Sequence, residues 1–283
     1  MKDGNQLEVY VNGEFLDECK ASVSALDRGV LLGEGLFETM RAYSGAIFML
    51  DKHLERIAAG MKVLGFKNIP GHDVLSRACR STLASNGFED AKVRLTITKG
   101  ILTAKQPTVI VTAERYHGYD EELYLSGMSA ITLHGYRMSK SPIHRLKATS
   151  YLPSLLAREK ALAAGCHEAL LINEEGNIAE GSFTNLFAIE ASVLYTPPIH
   201  DGLLPGITRE CVLEIAANTG LAVAEESVPV GRLQSAQEAF LTNSLLEIMP
   251  LTKVDHIVIA DGKPGPQTLA LRERYHDRIS LGP

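Results

Sequence analysis

Strands in this chain come as neighbours joined by very short turns, and that habit excludes most layered α/β architectures. Leu7–Asn12 alternates apolar and polar residues and reverses at Asn12-Gly13, a dipeptide suited to the positive φ values of a two-residue hairpin. Gly35–Tyr43 reverses at Ser44-Gly45 into Ala46–Leu50, and the stretches Ala169–Asn173 and Ile178–Ala188 flank the turn Glu174-Glu175-Gly176-Asn177. Val93–Lys99, Thr108–Ala113, Ser129–Tyr136, Ala239–Thr242 and Thr252–Ile259 are further strand candidates. The expected fold is α/β of the α+β type, with antiparallel or mixed sheets and no regular βαβ alternation.

Helical periodicity fills the gaps between these pairs. Asp51 is expected to cap a helix with Leu54, Ile57, Ala58, Met61 and Leu64 on one face and Gly65 near its end. His72–Asn86 is a second helix, stopped by Gly87. Ser150–Ala164 is a third, whose apolar face includes Leu152, Leu155, Leu156 and Ala163, and Thr208–Asn218 is a fourth, with Gly220 beyond it. Between Tyr116 and Glu122 the periodicity lapses. A boundary near there divides a small N-terminal α/β domain, 1–120, from a larger C-terminal domain, 121–283, which carries the candidate lysine described below.

Bulk properties narrow the partners. A chain of 283 residues with 45% apolar content can bury a sizeable core, as one large domain or two. The net charge of −6 is spread without blocks, which argues against a nucleic-acid or anionic-membrane partner. No apolar run approaches the roughly 18–20 residues needed to cross a bilayer. The N-terminal stretch MKDGNQLEVYVNGEF lacks the apolar core of a signal peptide. Cys19, Cys79, Cys166 and Cys211 are widely spaced, as in a protein of the reducing cytoplasm. The histidines show neither HxxxH nor HxH spacing, so no metal is expected.

Four segments carry candidate chemistry. HRLKATSYL (His144–Leu152) holds Lys147, placed between a Pro142 turn and an apolar helix; it is either a solvated lysine or a partly desolvated nucleophile and proton shuttle. IAEGSFTNLF (Ile178–Phe187) puts Glu180 within a strand, where a charged side chain usually faces water. LLPGITRE (Leu203–Glu210) leads straight into a helix, whose first N–H groups bind anions, and Thr208 adds a hydroxyl. Thr242-Asn243-Ser244 offers further donors or simply a polar turn, and Arg56 lies off the apolar stripe of its helix. An amine, a distant acid and donor-rich segments together are what a pyridoxal phosphate pocket requires. The aldehyde needs the amine, the ring nitrogen needs negative charge, and the phosphate needs donors.

These segments, with VYVNGEF (Val9–Phe15), LDRGVLLGEGLFETMRAYSG (Leu26–Gly45) and DKHLERI (Asp51–Ile57), make the chain resemble the class IV aminotransferase family nearly end to end. The resemblance implies fold type IV, a homodimer, and pyridoxal 5'-phosphate held on the Lys147 amine with Glu180 at the pyridine nitrogen. It further implies Arg56, Ile207, Thr208 and Ser244 at the phosphate, with Thr242 and Asn243 alongside. Leu204 would pack on the ring, and Tyr151 would lie near the phenolic oxygen.

The subfamily is divided. Branched-chain members usually carry one more residue between the lysine and the tyrosine, and a glycine-threonine pair where this chain has Asn243-Ser244. D-amino acid members of the Bacillus type carry an arginine-x-histidine trap that is missing from GILTAKQP (Gly100–Pro107), and Phe37 replaces a tyrosine. Aminodeoxychorismate lyases are similar at FETMR, at the lysine-to-tyrosine spacing and at TNSLLEIMP. The first expectation is a transaminase acting on a small or apolar amino acid of D- or branched-chain type and a 2-keto acid. Phe37, Arg41 and Arg28, the last from a neighbouring subunit, are its substrate candidates. The second expectation is the lyase that releases pyruvate and p-aminobenzoate. The third is a scaffold that keeps the fold without the chemistry.

Overall fold

The computed structural model describes residues 7–282; residues 1–6 of the N-terminal stretch read above lie outside it. The chain divides into two compact units. One contains the chain to His117 together with Lys147–Ser150, and the other contains Gly118–Leu146 and Tyr151–Leu281. The expectation that Lys147 belongs with the larger domain is therefore where the structure differs, because residues 147–150 bond to a strand of the first unit.

The first unit has strands β1 (Glu8–Val11), β2 (Glu14–Asp17), β3 (Gly35–Tyr43), β4 (Ala46–Ile47), β5 (Ala91–Thr98) and β6 (Thr108–Arg115). Its helices are α1 (Arg28–Leu32), α2 (Leu50–Val63) and α3 (His72–Ser85). The strands form one antiparallel sheet in the order β2-β1-β6-β5-β3-β4. Both expected hairpin turns are two-residue loops. Asn12 (φ 52°) and Gly13 (φ 107°) sit between the paired Val11 and Glu14, and Ser44 (φ 47°) and Gly45 (φ 78°) between Tyr43 and Ala46. Positive φ at both central positions matches the right-handed twist of the strands they join.

On β5, Ala91, Val93, Leu95 and Ile97 alternate into the core, where Leu54, Ile57 and Met61 of α2 and Leu75 and Leu83 of α3 are also buried. Each of these side chains larger than alanine contributes about 1.5–3 kcal/mol by leaving water. Asp51 does not cap α2. The cap position is Met49, in the left-handed region at φ 51°, and Asp51 sits inside the first turn, where its charge complements the helix dipole.

The second unit runs α4 (Glu121–Ser126), β7 (Met128–His134), α5 (Leu152–Ala163), β8 (Glu168–Ile172), β9 (Asn177–Gly181), β10 (Asn185–Glu190), β11 (Val193–Thr196), α6 (Ile207–Ala217), β12 (Ala222–Glu225), β13 (Val228–Pro229), α7 (Val230–Gln234), β14 (Glu238–Asn243), β15 (Glu247–Val254), β16 (Ile257–Val258) and α8 (Pro266–Ser280). Its sheet has the order β12-β11-β10-β14-β15-β7-β8-β9-β13, with β16 paired to β15. It is mixed: β11–β12, β15–β7 and β7–β8 are parallel and the other pairs antiparallel. Phe187 of β10 and Phe240 of β14 stack with centroids 4.9 Å apart at the centre of this sheet.

Helix α5 reverses the expected orientation. Ser154, Ala157 and Ala161 are buried, the alanines packing with Ala169 and Leu171 of β8, whereas Leu152, Leu155 and Leu156 are exposed. Small residues one turn apart let the helix lie close to the sheet, and the leucines turn outward.

Candidate active site

Within the first unit, Lys147 is fixed through its own main chain. Its carbonyl accepts the Phe37 N–H at 2.8 Å, and Ala148 bridges to Leu36. The Thr149 N–H donates to the Gly35 carbonyl at 2.9 Å, and the Thr149 and Ser150 hydroxyls donate to the Gly33 carbonyl at 2.9 and 3.0 Å. So close an approach needs glycine. A Cβ on Gly35 would lie 2.8 Å from Thr149 Oγ1, and one on Gly33, already at φ 67°, 2.4 Å from Ser150 Oγ. The anchored lysine is half-buried, with Nζ 4.9 Å from the Phe37 ring centroid. Arg94, from β5, holds its guanidinium 3.9 Å from the same centroid.

Next to Phe37 on β3, Glu38 points to the opposite face, since strand side chains alternate. It is fully buried, and it accepts hydrogen bonds from Arg56 Nε at 2.8 Å and Nη2 at 2.6 Å, and pairs with His53 Nδ1 at 2.7 Å. His53 and Arg56 lie three residues apart on α2 and so share a face. Burial pushes the Glu38 carboxyl up, but the Arg56 charge and the His53 and Arg56 hydrogen bonds outweigh it and bring its pKa down to about 2. His53 moves down, chiefly through burial, with the Arg56 and Lys147 charges adding and Glu38 opposing. The triad is thus a carboxylate, a guanidinium and a neutral imidazole. Arg56 is not the solvated helix charge that its place off the apolar stripe suggests.

In the second unit, Glu180 on β9 is only 4% exposed. It is ion-paired through Oε1 to Arg137, while its Oε2 accepts the Leu204 N–H at 3.0 Å and Asn185 Nδ2 at 3.4 Å. Asn185 Nδ2 also donates to the Leu204 carbonyl at 3.0 Å, so the loop entering α6 is tied to the acid from both sides of one residue. Gly206 caps α6 in extended conformation without a side-chain bond, and a Cβ there would lie 1.9 Å from Asn185 Oδ1. That leaves the first N–H groups of α6, at Ile207 and Thr208, without a side-chain cap. Both residues are buried.

Tyr151 donates to the Ser182 carbonyl at 3.3 Å and packs edge-on against Phe183, with centroids 5.1 Å apart. Burial, with Glu180 adding, pushes its phenol well above the ordinary range. Thr242 is fully buried, and its Oγ1 meets no hydrogen-bond partner among the described residues. Asn243 Oδ1 accepts the Leu245 and Leu246 N–H groups at 2.8 and 2.9 Å and its Nδ2 donates to the Phe183 carbonyl at 3.1 Å, so this side chain builds the turn that carries Ser244.

Arg41 and Arg28, the expected carboxylate candidates, are engaged elsewhere in the first unit. Arg41 stacks on Tyr43 and Tyr116 and lies 3.9 Å from Asp90; Arg28 pairs with Glu34. Sequence reasoning missed Arg94, Arg137, Glu38 and His53. Of these, only Glu38 and His53 sit inside motifs, FETMR and DKHLERI. Among the described residues, no three metal-ligating side chains cluster, and no helix is long and apolar enough to cross a membrane.

The donor set fits pyridoxal phosphate. The second unit, by itself, carries a buried acid ion-paired to Arg137, an uncapped helix start and an orphaned hydroxyl, groups that suit a ring nitrogen and a phosphate. The first unit, by itself, carries an anchored amine of the kind an aldehyde needs. Comparison with known proteins agrees. A family model described as amino-transferase class IV matches residues 35–254. The chain belongs to the class IV aminotransferase family. That family is one of pyridoxal-phosphate enzymes of fold type IV. Among its relatives, a putative branched-chain-amino-acid aminotransferase of Methanocaldococcus jannaschii is 34% identical, with 96% of each chain covered. The aminodeoxychorismate lyase of Bacillus subtilis is 32% identical over 96% of this chain and 94% of its own. Among solved structures, a branched-chain amino acid aminotransferase with pyridoxamine 5'-phosphate superposes with a TM-score of 0.92 at 31% identity, covering 97% of this chain and 94% of that one. The branched-chain aminotransferase of the archaeon Thermoproteus uzoniensis with norvaline superposes with a TM-score of 0.89 at 34% identity, covering 98% of this chain and 96% of that one.

Proposed function

We propose that this member of the family is a pyridoxal-phosphate-dependent transaminase, moving an amino group between a small or apolar amino acid, of D- or branched-chain type, and a 2-keto acid. One observation carries the reading. The motif lysine is pinned by its backbone to β3, with Nζ against the Phe37 ring, so its amine is positioned by the fold rather than by a flexible stem. When bound, the cofactor supplies a ring into which charge from the substrate α-carbon spreads.

The chain's residues do the rest. Lys147 Nζ would hold the cofactor aldehyde at rest and, once a substrate amine has taken its place there, the freed amine would take the α-proton and give it back. Glu180, ion-paired to Arg137, would present its carboxylate to the ring nitrogen. The Ile207 and Thr208 N–H groups, Thr242, Arg56 and Ser244, the last on a turn shaped by Asn243, would bind phosphate. Leu204 packs on the ring, and Tyr151 lies by the phenolic oxygen. Arg94, whose guanidinium lies 3.9 Å from the ring centroid of the same Phe37 that Lys147 Nζ meets, is the cation we assign to the substrate carboxylate. On this reading the protein works as a cytoplasmic homodimer.

The similarity to the Bacillus lyase over nearly the whole chain supports a second reading, release of pyruvate from aminodeoxychorismate. One experiment separates the two. Protein saturated with pyridoxal phosphate is challenged with both enantiomers of several amino acids, and with aminodeoxychorismate in the absence of a keto acid. Conversion of the cofactor to its pyridoxamine form by an amino acid is the expected result. Pyruvate release without a keto-acid acceptor establishes the lyase. Borohydride reduction followed by peptide mapping must place the label on Lys147; label on another side chain overturns both.

A further inference from the structure

Helix α8 supplies none of the groups assigned so far, yet the fold of the second unit fixes it at both ends. Its start is held by Glu238, the first residue of β14. The Gln267 and Thr268 N–H groups donate to that carboxylate at 3.1 and 2.7 Å, and the Thr268 hydroxyl donates at 2.7 Å. Negative charge suits a helix start. The approach is close enough to require Gly265, where a Cβ would lie 2.0 Å from Glu238 Cδ. Towards its other end, His276 Nε2 meets Glu247 Oε2 at 2.6 Å, and Glu247 opens β15 opposite Asn243, the last residue of β14. Residues 267–276 span about 14 Å of helix and residues 238–243 about 17 Å of strand, so α8 lies along β14 and is tied to it at either end.

Tyr275, next to His276 on this helix, is 1% exposed. A phenol so buried needs a partner for its hydroxyl, and one is the hydroxyl of Thr208 in the first turn of α6. Burial, with Cys211 adding and the Thr208 bond opposing, pushes the phenol well above its ordinary range, so the O–H keeps its proton. Filling this volume needs no hydroxyl, since phenylalanine has the same ring. Each of the two hydroxyls has a single hydrogen to give and lone pairs to accept with. Thr208 can therefore donate to Tyr275, or accept from Tyr275 and direct its own hydrogen elsewhere. An anion at the start of α6 selects the second arrangement, because a hydrogen bond to a charged acceptor is stronger than one between neutral hydroxyls, and the chain of donors polarises in one direction.

We propose that Tyr275 is a positioning residue for phosphate binding: its hydroxyl donates to Thr208 Oγ1 and thereby turns the single hydrogen of Thr208 towards the cofactor's phosphate. Tyr275 acts only through Thr208, and the ties of α8 to Glu238 and Glu247 keep its hydroxyl in place. The inference rests on the reading of Thr208 as a phosphate ligand, and deepens it by naming what sets the direction of that hydroxyl.

The test compares two ligands that differ only in the phosphate. Full-length cofactor-free protein is titrated with pyridoxal phosphate and with pyridoxal, which has the ring and aldehyde alone, and both titrations are followed by visible absorbance. Y275F is expected to weaken binding of pyridoxal phosphate about tenfold and of pyridoxal by less than about twofold. A merely structural role moves both ligands together. T208V is expected to show the same selective loss. Adding Y275F to T208V is expected to cause no further selective loss, because the effect of Tyr275 passes through the hydroxyl already removed. An equal loss for the two ligands in Y275F, no loss in that variant, or a further selective loss of about tenfold in the double variant overturns this inference and leaves Thr208 as a phosphate ligand. Absence of a selective loss in T208V overturns the reading of Thr208 and this inference with it.

Discussion

Phe37 and Lys147 meet twice: the Phe37 N–H donates to the Lys147 carbonyl at 2.8 Å, and the Phe37 ring lies 4.9 Å from that lysine's Nζ. The first contact sets where the lysine's backbone lies and the second sets where its amine points. A substitution that spares the backbone bond separates the two. Phe37→Leu keeps an apolar residue of similar bulk at a buried position, so it should cost less than about 1.5 kcal/mol of stability. Loss of the ring face removes a contact worth up to about 2 kcal/mol to the ammonium, which predicts a fall in turnover of about tenfold. Thermal melting and single-turnover rates check the two halves of this expectation.

The Glu38–His53–Arg56 triad predicts how stability depends on pH. Glu38 has a folded pKa of about 2, below the ordinary 4.5, so its contribution is present above 4.5 and is lost as pH falls towards 2. A shift of that size is worth about 3 kcal/mol. His53 has a folded pKa below its ordinary 6.5, so the unfolded chain binds the extra proton and stability begins to fall below that pH. The two act in the same direction. Melting temperature should be flat near neutrality, decline gently below about pH 6.5, and decline steeply below about 4.5. In His53→Gln the gentle phase should shrink and the steep one persist; an unchanged gentle phase would remove His53 from this role.

Gly33 and Gly45 are both left-handed, at φ 67° and 78°, but only Gly33 has a neighbour where a Cβ would go. Gly45→Ala should cost the backbone strain alone, about 1–2 kcal/mol, and leave turnover unchanged. Gly33→Ala adds displacement of Ser150 from the carbonyl that holds the lysine segment. Both variants should melt earlier, and only Gly33→Ala should lose activity, by about tenfold or more.

The parts of this molecule legible in its sequence are those whose information is local. The turns at Asn12-Gly13 and Ser44-Gly45 each specify a backbone conformation within two residues, and both formed as expected. The lysine segment was legible as a motif. Its bonding to β3 was not, because nothing within residues 144–152 encodes a partner more than a hundred positions earlier. Glu180 reads as a solvent-facing strand residue until β9 is seen paired to β8 and β13 on either side, with Arg137, 43 positions upstream, supplying the compensating charge. Helix α5 carries both a leucine face and an alanine face, and periodicity gives the angle of a stripe but not which stripe packs. Bulk favoured the leucines, and close approach to β8 selected the alanines.

The Arg137–Glu180 pair is buried at 12% and 5% side-chain exposure, which predicts strong asymmetry between single and double variants. Arg137→Met alone leaves a buried carboxylate uncompensated and should cost about 3–5 kcal/mol. Glu180→Gln in the same background removes that charge and should recover most of the loss. If the reading of Glu180 as the acid at the ring nitrogen holds, the double variant stays slow in proton abstraction although it is stable. Denaturant melts with single-turnover kinetics distinguish repair of the fold from repair of the site.

Thr242 offers the sharpest separation of stability from function. Its Oγ1 is buried without a partner among the described residues, and an unsatisfied hydroxyl costs the protein about 1–3 kcal/mol relative to a satisfied one. Thr242→Val keeps the β-branched shape that suits β14 and removes the orphan, so the cofactor-free protein should become as stable as wild type or more so. If that hydroxyl is kept for the cofactor's phosphate, the same change deletes one donor to a charged group, worth about 1.5–3 kcal/mol, and pyridoxal phosphate should bind roughly tenfold or more weakly. A structural role moves both quantities together. Only a ligand role moves them in opposite directions, and melts of the apo protein set beside a cofactor titration decide between the two.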